Sequence, residues 1–479
     1  MNKLCDDTNN VILSFLIDKP ELNNKKQYLN NDILFLYYTS KYWNRLIKQY
    51  IERIYPDIPV YFNLNINNAM LNGEINVLKW LRNKEYIFKY DSWAANLCYG
   101  QHAHEEIFKW LKTHNYNLKY DETTMRYASQ NGHVHVLEWF EKEGYNLNYN
   151  DMSFHIADAS SNGHINILEW FKNNLYEFKW VSNLINQASK DGHINVLEWF
   201  KNLCTNSSGY YFEYDASAVN YASWKGHINV LEWWVNLCKN SDYKFKYSEL
   251  AIQYACEEGL INVLEWWSNL CKNSDYQFKY SELAIQYASR EGHIHILNWF
   301  ANSGYELKYD ETAINAACST NRFEVLDWFK NSEYELKYDE TAINNACAKG
   351  RLSILNWFKN NGYELKYNKW AINYAMLYGH INVLEWFKNS GCEFKYDKWA
   401  ITNASSNGHV HILEWFKNSD YEFKYDDRAI NLASIGGHIN VLEWFKNSDY
   451  QFKYDRYVVK CLNIYPAIPL WFNVNGYLL

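Results

Sequence analysis

Hydrophobic and polar positions follow one order over most of the chain. From Tyr396 to Lys424 it reads YDKWAITNASSNGHVHILEWFKNSDYEFK. Ala400, Ile401 and Ala404 recur on one side at helical spacing, which predicts a short first helix. Asp397 stands before it with a carboxylate able to accept from the open N–H groups of the first turn. Gly408 closes it, where the chain must turn left-handed. A second helix is expected from about Val410 to Lys417, with Ile412, Leu413, Trp415 and Phe416 as its buried stripe. The loop Asn418-Ser419-Asp420 then leads to Tyr421, Phe423 and Tyr425, expected to re-enter the core before the next cap.

This unit recurs. Its tryptophan returns as Trp80, Trp110, Trp139, Trp170, Trp199, Trp233, Trp266, Trp299, Trp328, Trp357, Trp386, Trp415 and Trp444, at spacings of 29 to 34 residues. Thirteen helix-turn-helix copies define an all-α repeat solenoid, because a helix pair this short must stack on its neighbours to bury its apolar face. The Trp and Phe pair is the expected main stacking contact, each such side chain contributing roughly 1.5–3 kcal/mol on burial.

Composition narrows the function. Acidic residues outnumber basic ones, giving a net charge of −8, and no basic stripe offsets it, so nucleic acid is not an expected partner. No run of eighteen apolar residues suggests a membrane span. The start, Met1-Asn2-Lys3-Leu4-Cys5-Asp6-Asp7, lacks the layout of a secretion signal. The ten cysteines therefore read as reduced thiols, in the cytoplasm or nucleus of the (host) cell.

The second helix opens with Gly408-His409-Val410 and continues Ile412-Leu413-Glu414-Trp415-Phe416, with similar runs at Gly132, Gly192, Gly379 and Gly437. This pattern resembles the ankyrin repeat. The first helix, Trp399-Ala400-Ile401-Thr402-Asn403-Ala404-Ser405, keeps the apolar and Ala positions and lacks the family's Pro and His. The common unit is also about four residues shorter than the family's 33. A reduced or absent β-finger is therefore expected. The resemblance spans residues 59–463, and its wording is similar to that of ankyrin proteins of giant, mimivirus-like DNA viruses of amoebae.

In the ankyrin family the end of the first helix faces a concave groove. That resemblance nominates Trp224, Lys225, Arg290, Leu377 and Tyr378, together with Trp370 and Trp399, as contacts for a protein partner. Exposed aromatics and Arg are favoured at such hot spots. The same surface also reads as merely tolerant of substitution.

Residues 1–58 do not fit the repeat. An apolar run with Val11, Ile12, Phe15 and Leu16, a second containing Leu34, and an ending with Trp43 and Leu46 resemble an F-box. That resemblance implies docking on the Skp adaptor of cullin ubiquitin ligases. The alternative is a plain helical cap. Residues 464–479 read as a C-terminal cap, in which Pro466 ends the last helix and Leu470, Trp471 and Phe472 fold over the exposed end.

No chemistry outweighs the scaffold. His133/His135, His293/His295 and His409/His411 form His-x-His pairs, but the first of each reads as capping its turn and the second as an outward polar position. Glu138, Glu198, Glu232, Glu385, Glu414 and Glu443 lie a repeat apart, as a solvated face would. No phosphate loop, nucleophile elbow or catalytic triad is present. The reading is a non-enzymatic, monomeric protein-binding solenoid without cofactor or metal. Either it recruits a substrate to a host cullin ligase, or it is a scaffold or decoy with no ubiquitin link.

Overall fold

The computed structural model describes residues 66–83, 88–145, 152–206, 209–455 and 465–477. The docking candidates Val11, Ile12, Phe15, Leu16, Leu34, Trp43 and Leu46 lie outside the described residues. Among the described residues all regular elements are helical, with no strand. The chain divides into two compact units: Met1–Leu184 with Asn195–Phe212, and Ile185–Ile194 with Glu213–Leu479.

The representative repeat forms as its sequence dictates. Its first helix spans Lys398–Ser406, and Asp397 accepts from the Trp399 N–H at 3.0 Å. Gly408 turns the chain at φ +73°, and a Cβ there would lie 2.7 Å from Nδ1 of His438 in the next repeat. The turn therefore needs glycine for conformation and for room. Asn321 takes the same place at φ +66°, as the side chain that best tolerates a left-handed turn. The second helix spans Val410–Lys417.

In the second unit, first helices pack on first helices and second on second. The first-helix layer is the tighter of the two, because alanines such as Ala371, Ala375, Ala400 and Ala404 are fully buried between neighbours. Large rings hold the second helices further apart.

The longest repeats lengthen their second helix. The second helices Ile194–Asn206, Ile228–Lys239 and Ile261–Lys272 have 13, 12 and 12 residues, against 8 in Val410–Lys417. The four residues added in the 12-residue helices are about one helical turn, so the buried face keeps its direction. In the first unit a π-helical turn, Leu97–Gln101, continues the helix Ser92–Asn96.

Two expectations about the core need correction. The stacking is carried by Phe, fully buried at positions 171, 200, 300, 329, 358, 387 and 416. Trp110, Trp170, Trp199, Trp357 and Trp415 are buried too, as expected, while Trp139, Trp299, Trp328, Trp386 and Trp444 are half-buried, with the indole at the polar rim. Tyr421, Phe423 and Tyr425 are half-buried as well. They join a surface stack in which Phe394 lies on Tyr421 at 4.0 Å and Phe423 on Tyr450 at 4.0 Å.

Pro466 begins a helix, Ala467–Val474, where a missing N–H costs nothing. Trp471 and Phe472 are buried as the Trp-Phe pair of one more second helix, while Leu470 is 61% exposed and folds over nothing. The absence of a Gly-His turn had hidden that helix.

Candidate partner-binding surface

Most recurring polar side chains serve the stack. Asn373 Nδ2 donates to Asp397 Oδ1 at 2.9 Å, and Asn315 to Asp339 at 2.8 Å, each joining a first helix to the cap of the next. Burial alone would raise the Asp397 pKa. Hydrogen bonds from Lys369, Asn373 and the Trp399 N–H hold it below the usual carboxylate value instead.

The histidines act across repeats as well. His409 Nε2 meets the Leu377 carbonyl at 3.0 Å and His380 Nε2 that of Ala348 at 3.1 Å, so each caps the preceding repeat's first helix and not its own turn. Burial pushes both imidazoles below their ordinary pKa, against the raising effect of the carbonyl. The second position is not idle either. His411 Nε2 lies 3.1 Å from the Gly379 carbonyl, and Asn440 Nδ2 donates to that of Gly408 at 3.1 Å. Histidine and asparagine interchange there because both carry a donor of similar reach. Among the described residues no group of three or more His, Cys, Asp or Glu is placed to hold a metal ion.

The carboxylate row is more than a solvated face. Trp444 Nε1 donates to Glu414 at 2.7 Å, Trp471 Nε1 to Glu443 at 2.5 Å, and Trp415 Nε1 to Glu385. The Trp444 and Asn418 donors lower the Glu414 pKa. A further ladder follows the loops. Tyr367 Oη donates to the Glu393 carbonyl at 2.7 Å, and Lys395 Nζ lies 4.7 Å from the Tyr367 ring centre.

What these ladders leave over is the outer face of the first helices. On Lys369–Leu377 and its cap, Trp370, Tyr374 and Tyr378 fall at i, i+4 and i+8 and form one stripe. Trp370 is 38% exposed and Tyr378 53%, and the Trp370 and Tyr374 rings stack at 5.2 Å. Leu377 is half-buried beside them. Trp399 is half-buried with the Arg428 guanidinium 5.0 Å from its ring.

The other nominated residues are engaged within the chain. Trp224 Nε1 donates to Glu258 at 2.7 Å, and Lys225 Nζ lies 3.8 Å from the Trp224 ring centre and 3.5 Å from Glu258. Arg290 bonds Glu257 and Glu291. Trp224 packs at 5.6 Å from Tyr254, which belongs with Tyr221 and Tyr287 to a row that the sequence reading missed. Tyr374 and this row stand four residues after the position that Trp370 and Trp399 occupy at the helix start, and that i+4 spacing is the signal in the sequence that marks them.

Comparison with protein-family models gives no match, and no curated protein matches the chain. Among solved structures, it is similar to the pentatricopeptide repeat protein PPR10 from maize, at 11% identity and a TM-score of 0.30, covering 91% of this chain and 69% of that one. The chain is a helical repeat protein, and no helix among the described residues is long and apolar enough to cross a membrane.

Proposed function

We propose that this chain is a non-enzymatic, ankyrin-like scaffold that binds a protein partner through the outer face of its first helices. The observation that carries the reading is the Trp370–Tyr374–Tyr378 stripe. The Trp370 and Tyr378 rings stand partly open on a helix whose other face is fully packed. Their contacts within the chain include the half-buried Tyr374 and the Lys369 and Lys349 ammonium groups, 5.8 and 5.7 Å from their ring centres. Aromatic anchors of this kind dominate protein interfaces. Trp399, Leu377, Trp224, Lys225 and Arg290 extend the surface, and the last three are already held in place by in-chain bonds.

The finer reading is a substrate adaptor, in which the F-box-like Val11–Leu46 region engages Skp and cullin and the repeats present the target. It rests on the F-box-like sequence of that region and on the resemblance of the repeats to virus-encoded ankyrin proteins. The test is capture from host-cell lysate with the full chain and with a Trp43→Ala/Leu46→Ala variant. Loss of Skp and cullin with other partners retained supports the adaptor. Recovery of neither by the unaltered chain leaves the alternative, a scaffold or decoy with no ubiquitin link.

A further inference from the structure

Comparing the repeats with one another exposes a missing side chain. Lysine commonly follows the Trp-Phe pair, and its ammonium reaches the next repeat. Lys359 Nζ lies 5.8 Å from the Trp386 ring centre and donates to the Ser390 carbonyl at 3.0 Å. Lys388 Nζ lies 5.9 Å from the Trp415 ring. Lys330 and Lys446 donate to Asn361 and Asn475, each at 2.6 Å. In the first unit Lys112 sits 5.6 Å from the Trp139 ring and pairs with Glu143. Glu143, Asn361, Ser390 and Asn475 all stand four residues after their repeat's Trp. Lys112 and Lys359 thus fill one kind of seat, an indole face beside an oxygen acceptor, and Lys330, Lys388 and Lys446 each make one half of it.

The lysine position holds Glu141, Val235, Ser268 and Ala301 in the repeats before Trp170, Trp266, Trp299 and Trp328, and at Ala301 only a methyl group is left. An open cavity of about 650 Å³ lies there, lined by Asn298, Ala301, Trp328, Ser332, Glu333 and Tyr334 among others. Ser332 is the residue four after the Trp, so the acceptor position is filled. Trp328 is held rigidly, its Nε1 donating to Asn298 at 2.7 Å and its ring stacked on Tyr334 at 5.7 Å and 14°. The exposed Glu333 makes no ion pair among the described residues and adds a negative charge at the rim. A second cavity, of about 330 Å³ at Trp266 and Val235, differs because Lys239 lines it and supplies a cation from within the chain.

We propose that the Ala301–Trp328 cavity is a binding site for a lysine side chain presented by a protein partner. The occupant follows from the sister repeats, where this environment holds an alkylammonium on a straight stem. Cation–π attraction and a carboxylate at the rim select the charged group over an apolar one of equal length. The site deepens the partner-binding reading, and it lies on the second helices, apart from the aromatic stripe.

The test titrates the full chain, carrying ¹⁵N in its indoles, with Nα-acetyl-lysine methylamide and with the uncharged norleucine analogue. The Trp328 signal is the one lost in Trp328→Phe. Lysine amide is expected to shift it saturably in the millimolar range, with norleucine amide at least fivefold weaker. Ala301→Lys should abolish the shift by filling the seat from within, and Glu333→Gln should weaken binding at least threefold. Equal response to norleucine, or unchanged lysine affinity in Ala301→Lys, overturns the proposal. Should Ala301→Lys fail to melt like the unaltered chain, unchanged affinity in Glu333→Gln overturns it instead. No partner or ligase enters this experiment, so its failure leaves the adaptor reading standing, and failure of the lysate capture leaves the seat standing.

Discussion

Asn373 and Asp397, 24 residues apart, form a two-way clamp: the Asn373 amide donates to the Asp397 carboxylate at 2.9 Å, and the Asp397 N–H returns toward Asn373 Oδ1 at 3.5 Å. Asn344 and Asn368 repeat the arrangement one unit earlier, at 3.1 and 3.4 Å. A fully buried amide thus fixes where the next helix begins. Replacing Asn373 with Leu leaves the cap's polar groups short of a partner, a loss of about 1–3 kcal/mol. Urea unfolding followed by far-UV dichroism should show a lower midpoint; an unchanged midpoint would remove the clamp from the account of stability.

The rim position of Trp386 and the core position of Phe387 predict unequal costs. Phe387→Ala should destabilise by about 3–5 kcal/mol, since it empties a fully packed site. Trp386→Phe removes one indole bond to Asn356, of 2.7 Å, and should cost about 1 kcal/mol. Thermal melts of the two variants decide the matter, and a larger loss for Trp386→Phe would contradict the assignment.

Acid should loosen the stack in two stages. Burial lowers the pKa of His133, His227, His380 and His409, so the neutral ring is the native form. The folded pKa lies below the unfolded value of about 6.5. The stabilisation is therefore complete above pH 6.5 and declines as pH falls toward the folded values. Asp121, Asp397 and Asp426 are depressed as well, and their contribution is lost only below about pH 4. The melting temperature should fall between pH 7 and 5 and again below 4. A curve flat from pH 7 to 5 would show that the histidines do not couple to folding.

His155 concentrates the first of these effects. It stands fully buried where the matching residue of sister repeats is Ala400 or Ala371, with Nε2 3.2 Å from the Glu122 carbonyl and Nδ1 without a partner. Burial lowers its pKa, while Glu122 and Asp158 raise it and Arg126 lowers it further. His155→Ala should reduce the loss of melting temperature between pH 7 and 5. An identical pH profile would count against a role for His155.

Tyr378→Ala should leave the melting temperature within about 2 °C, since surface changes away from packed contacts alter stability by only about 0.5 kcal/mol, whereas Trp370→Ala also loses the stack on Tyr374. Partner capture should fall at least tenfold. Arg290→Ala removes partly exposed ion pairs and should cost at most about 1 kcal/mol. If the Tyr378 variant unfolds, the stripe belongs to the scaffold.

The alternation of apolar and polar residues by itself determined the repeat, its two helices and their ends. A 3.6-residue period, an Asp cap and a turn glycine act within a single unit, so Lys398–Ser406 and Val410–Lys417 were legible before any packing was known. Contacts between units were not. The roles of Asn373, His409 and Glu414 arise only when a neighbour's carboxylate, carbonyl or indole arrives from 24 to 32 residues away, and one unit's sequence does not contain that partner. The same holds for function. Ala301 is an unremarkable residue in its own helix, and only the stacking of Trp328 beside it makes a cavity. Local periodicity set the elements, and tertiary packing decided which polar groups were satisfied and which surfaces were left open.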